Sequence, residues 1–91
     1  MPEVHPFYET HRSAMEAAMR QRLDLAEAML CERAQLWGKA QTYFEASLAI
    51  ENRWRTRVAL GELFARLNRD FDANAQLAAA LKLALAELDR G

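Results

Sequence analysis

Ninety-one residues with 52% apolar side chains, three Gly and two Pro suit one small helical domain and exclude a disordered chain. A formal net charge of −1 gives no general drive toward nucleic acid or anionic lipid, and the single cysteine, Cys31, has no partner for an internal disulfide. No segment approaches the ~18 apolar residues of a membrane span, and the start "MPEVHPFYETHR" lacks the basic-then-apolar order of a secretion signal, so the chain reads as soluble.

Residues 1–7 hold both prolines and read as loose. From Tyr8 to Ala34, Met15, Met19, Leu23, Ala26 and Leu30 recur every three or four positions, the stripe of an amphipathic helix. One long helix fits this stretch, and so do two helices meeting near Gln21–Asp24. Trp37-Gly38 marks the first sharp turn, and helical pattern resumes from about Lys39 to Glu51. A third helix carries Val58, Leu60, Leu63, Phe64 and Leu67 and is closed by "NRD" (68–70). Asp70 or Asp72 is the expected N-cap of a fourth helix, which carries Leu77, Leu81, Leu85 and Leu88 on one side. No stretch alternates with period two, so no strand is expected.

One constant offset overlays the first two helices on the last two. Ala28 falls on Gly61, Leu30 on Leu63, Cys31 on Phe64 and Arg33 on Arg66; Ala40 falls on Ala73, Phe44 on Leu77, Ser47 on Ala80 and Leu48 on Leu81. A unit of two helices repeating at this period is the signature of a helical-pair solenoid. Antiparallel helices approach closely only where one offers a small residue, which assigns Ala28, Gly61, Ala40 and Ala73 to the crossings. Phe44 and Leu77 then fill the space one turn later, and Ser47 and Ala80 stay small for the next pair to dock. The expected fold is all-α: antiparallel helix pairs stacked as a short solenoid, with residues 1–20 as an N-terminal helical extension, 21–53 as the first repeat and 54–91 as the second.

The stretch "VALGELFARLNRDFDANAQLAAAL" (58–81), with Leu60-Gly61, Phe64, Ala73, Leu77 and Ala80 at the family's spacing, resembles the tetratricopeptide repeat. The first repeat departs from the pattern at Glu27, Ala28 and Asn52. More narrowly, "LCERAQLWGKAQTYFEASLAIE" followed by "RVALGELFARLNRDFDANAQLAAALKLAL" looks like the C-terminal end of HemY-like proteins. Those are bacterial inner-membrane proteins associated with haem biosynthesis. The resemblance implies an interaction scaffold near haem enzymes, with no chemistry of its own.

The residues themselves carry little catalytic signal. His5, His11 and Cys31 are the only imidazole and thiol ligands in the sequence. The two histidines are not spaced to share a helical face, and Cys31 overlays a core position. No metal, haem or other cofactor is therefore expected, and the chain does not read as an enzyme. An enzyme is the runner-up from a different class, though no Ser-His-Asp set can be assembled from two histidines near the N-terminus. Haem capture through His11 and Cys31 comes third. Glu62 and Arg66, four apart, read as a surface ion pair. "RWRTR" (53–57) gathers three Arg around Trp54, yet no second cluster extends it, which argues against nucleic acid. The expected packing has the Arg stems over the start of the third helix and Trp54 between repeats.

What remains is a surface. The face opposite the packing stripe presents Arg22, Leu25, Met29, Glu32 and Arg33 from the first repeat and Arg55, Val58, Glu62 and Arg66 from the second. This groove suits a protein or peptide partner with acidic and apolar side chains. The Lys/Asn set that clamps a C-terminal carboxylate in some tetratricopeptide proteins is not present. Leu25 and Met29 alternatively pack against a separate N-terminal helix. The extension carrying Met15 and Met19 is expected either to cap one end of the stack or to leave stripes that pair two chains as a homodimer.

Overall fold

In the computed structural model, residues 6–90 are described, with side chains from Arg12 onward. Four helices follow in order: α1 (Pro6–Arg33), α2 (Trp37–Ile50), α3 (Trp54–Arg66) and α4 (Asp70–Arg90), with no strand among the described residues. α1 packs on α2, α3 on α4, and the pairs meet mainly through α2 and α3. The radius of gyration is 16.1 Å, against ~12 Å for a compact chain of this length, so the molecule is elongated. None of the described helices is long and apolar enough to cross a membrane.

α1 is one helix, because no Gly or Pro interrupts it between Phe7 and Ala34. The expected loose start ends earlier than residue 7: Pro6 opens the helix, where its fixed φ and missing N–H do no harm. Gln21 and Asp24, read as a candidate break, form part of the buried face with Ala28 and Cys31. The Met15, Met19, Leu23, Ala26 and Leu30 stripe is exposed instead. The reason is geometric. Ala28, wholly buried beside Ala40, Phe44 and Ser47, lets α2 lie close along the small side of α1, and the polar groups there find partners. Gln21 Nε2 donates to the Glu51 carbonyl at 3.3 Å, Ser47 Oγ donates to the Gln21 carbonyl at 3.4 Å, and Arg20 lies 3.5 Å from Asp24. Ser47 therefore stays small for α1 of its own pair, rather than for the following pair.

The turns inside the two pairs are the same turn, one repeat apart. Leu36 N–H donates to the Cys31 carbonyl and Gln35 N–H to that of Glu32; Arg69 N–H donates to Phe64 and Asn68 N–H to Ala65. Both are Schellman motifs, and Gln35 and Asn68 each take the left-handed conformation at φ 60°. In the second, the Arg69 guanidinium lies 4.4 Å over the Phe64 ring, covering the helix end. The Arg69 carbonyl takes the first bond of α4, from Ala73. Arg69 thus holds the capping place, and Asp70 and Asp72 lie in the first turn, where acid is favoured.

The first sharp turn is at Ala34–Leu36, not at Trp37-Gly38, which begins α2. A Cβ at Gly38 would meet nothing within 4 Å, and its φ is not positive. Gly38→Ala is accordingly expected to raise stability by about 0.5–1 kcal/mol, through helix propensity alone. Thermal unfolding followed by circular dichroism checks this; a lower midpoint contradicts it.

A single core joins the four helices: Ala28 and Cys31 from α1, Ala40 and Phe44 from α2, Leu60, Leu63 and Phe64 from α3, and Ala73 from α4. All four residues assigned to the helix crossings are buried. Leu77 presses on Gly61 but remains 40% exposed, unlike its counterpart Phe44, because no further pair among the described residues covers α4. The expected N-terminal cap does not form. α1 runs on past α2, and residues 12–20 are exposed.

Candidate protein-interaction surface

The two halves of the expected groove lie on α1 and α3, and one ion pair ties them together. Arg66 Nη1 donates to Glu32 Oε2 at 3.2 Å, with the carboxylate largely shielded and the guanidinium more open. This corrects the expected Glu62–Arg66 pair: Arg66 reaches across to α1, and Glu62 has no ion pair among the described residues. With Arg66 58% exposed, the bridge links the two helices at one point and contributes at most about 1 kcal/mol.

Around this bridge, Arg22, Met29, Arg33, Arg55 and Glu62 are exposed and Leu25 and Val58 half-buried. Met29 is 52% exposed. With α1 continuous, no separate N-terminal helix is available to cover it. Leu25 packs on the core instead. Arg22 and Arg33 have no ion pair among the described residues, so with Glu32 neutralised by Arg66 the free charge is three Arg, with Arg55, against Glu62.

At one end the face deepens into a cleft of about 540 Å³ lined by Leu25 of α1, Glu51, Asn52, Arg53, the first turn of α3 and Glu87. Its wall is ordered by side chains of the 51–57 segment. Trp54 Nε1 donates to Glu87 Oε2 at 3.1 Å, and the Arg55 guanidinium lies 5.2 Å over the Trp54 ring. Arg53 pairs with Glu51 at 3.4 Å, while Arg57 donates to Asn52 Oδ1 and Gln76 Oε1. Trp54 is therefore tied to α4 of its own helix pair, and it lines the cleft together with Leu25 of the first pair. The three Arg of "RWRTR" go to three different partners, so they do not form one phosphate-binding row.

The spacing of single residue types could not reveal this cleft. It depends on Glu87, a full repeat beyond Trp54, and on the loop backbone of 51–53. The available signal was the repeat period itself.

Cys31 is a buried free thiol, as its overlay on Phe64 implies. His5 and the side chain of His11 lie outside the described residues. Among the described residues no cluster of three or more His, Cys, Asp or Glu is placed to hold a metal ion. Compared with known proteins, the chain matches no family model, no curated protein and no solved structure.

Proposed function

We propose that this chain is a protein-interaction scaffold of tetratricopeptide type, in which the α1–α3 face holds a peptide segment bearing acidic and apolar side chains. The observation that carries the reading is the Glu32–Arg66 bridge. It links α1 to α3 at one point and cancels one carboxylate, leaving exposed Arg22, Arg33 and Arg55 around exposed Met29 and half-buried Leu25. Guanidinium groups recognise carboxylates through paired hydrogen bonds, and a flexible thioether adapts to varied apolar side chains. The equal turns, and the buried small residues that recur at the same offset, support a solenoid of helix pairs as the frame. Placement beside haem-making enzymes at a bacterial inner membrane rests on the HemY-like resemblance of "LWGKAQTYFEASL" alone. Self-association through the stripes of α1 and α4 is compatible with this role.

Selection of peptides from a random displayed library against the chain tests the reading. Enriched peptides are expected to combine Asp or Glu with Leu, Ile or Phe. The combined change Arg22→Glu, Arg33→Glu and Arg55→Glu, which spares the Arg66 bridge, is expected to weaken their binding at least about tenfold, or ~1.4 kcal/mol. Enrichment of basic peptides, or unchanged affinity in the variant, would reject the groove.

A further inference from the structure

Each terminal helix in the packing order carries one half of a junction already built inside the molecule. α3 is packed on two neighbouring faces: Gly61 and Arg57 meet α4, while Thr56, Leu60 and Leu63 are buried about a third of a turn away. A shift of one repeat carries Thr56, Leu60 and Leu63 of that second face onto Leu23, Glu27 and Leu30 of α1. Leu23 and Leu30 are 56% and 59% exposed, and the charged Glu27 is the one departure from the template. On α2, Phe44 is fully buried and Leu48 half-buried in the core. The same shift carries them onto Leu77 and Leu81 of α4, and Leu81 is 62% exposed. α4 thus repeats the α2 side of the α2–α3 junction, and α1 repeats the α3 side.

We infer that a second copy of this chain covers these faces, α4 of one copy seating on α1 of the next as α2 seats on α3. The lengths of the two helices favour this occupant. Inside the chain, α2 must stop at Ile50 and α3 start at Trp54 so that the backbone can turn between them. No loop restricts α4 against the α1 of another copy. α4 runs on past Leu83, the match of Ile50, to Arg90, and α1 begins long before Gln21, the match of Trp54. In the antiparallel register of the template, both overhangs extend the same way. Leu85 and Leu88 of one copy then lie along Met15 and Met19 of the next, four side chains otherwise left in water. Such a contact uses different surfaces on the two partners, so it propagates into chains or a ring and does not stop at a two-fold dimer. It leaves Arg33 and Arg55 free, so it stands or falls separately from the peptide groove.

Sedimentation of the full chain from micromolar to near-millimolar concentration, with two face variants, tests the inference. One variant is Leu23→Glu with Leu30→Glu, the other Leu81→Glu with Leu85→Glu. All four positions are exposed, and retained helicity by circular dichroism shows that each variant folds. Should either fail to fold, Met15→Glu with Met19→Glu, or Leu88→Glu, replaces it. The wild-type mass is expected to climb with concentration beyond two chains, and each variant alone to remain monomeric. Mixing the two variants is expected to restore a one-to-one complex that grows no further, because only one intact α4 face and one intact α1 face remain. A wild-type monomer throughout overturns the inference, as does a mixture that stays monomeric. A variant that still self-associates also overturns it, since the contact would then pair like with like.

Discussion

Phe44→Ala is expected to cost about 3–5 kcal/mol of stability, the range for a fully buried aromatic whose cavity cannot collapse. Phe44 is wholly buried in the one core that draws on all four helices. Its neighbours there include Ala28, Ala40 and Ala73, which are too short to reach into the space the ring vacates. A domain of this length has a total stability of about 5–15 kcal/mol, and the elongated shape keeps its core small. The variant should therefore lose at least ~12 °C in its thermal midpoint. Leu77 is the internal comparison. It holds the same place in the second pair, yet with 40% of its surface in water its truncation to Ala is expected to cost only about 1 kcal/mol. Chemical denaturation of both variants measures the contrast. Equal losses would mean that the two positions do not differ in burial as described.

That contrast also shows what a sequence of this kind discloses. The small residues at 28, 40, 61 and 73 were legible because a close helix crossing leaves no choice of side chain, and all four are buried. The large apolar stripe of α1 was misleading for the opposite reason. Periodicity finds a face with Met15, Met19, Leu23 and Leu30 on it, but it does not say whether the chain has anything to place there. The buried face of α1 includes Gln21 and Asp24, whose polarity hides them from any hydrophobic pattern and is met by the 51–53 loop, Ser47 and Arg20. The left-handed turn residue was hidden too. Gln35 holds φ 60° where Gly is the usual choice, while Gly38, just past the turn proper, drew the boundary the wrong way. For the candidate groove, helical spacing found which residues share a face. It did not find that Arg66 spends its charge on Glu32 rather than on Glu62, because that choice is made between helices.

Gly61→Leu is expected to destabilise the chain by about 2–3 kcal/mol through overpacking of the α3–α4 crossing. A Cβ at this position would lie 3.1 Å from Leu77 Cδ2 and Cγ and 3.3 Å from the Ala73 carbonyl oxygen. Leu77 is part-exposed and can yield, so Gly61→Ala should fall near neutral. Its squeeze is opposed by a helix-propensity gain of about 1 kcal/mol. Ala28, in the same register of the first pair and completely buried, shows that one methyl group fits such a crossing. Leucine adds three further carbons in a direction closed by helical backbone. The Ala73 carbonyl is fixed by α4, so α3 and α4 would have to separate. Separation would loosen Trp54 from Glu87 and Arg57 from Gln76, whose hydrogen bonds span the same two helices. A fall of roughly 10–20 °C in the thermal midpoint is expected, together with weaker burial of Trp54 in its fluorescence. If Gly61→Leu instead matched Gly61→Ala in both readouts, the two backbones would not be in the contact on which this pair depends.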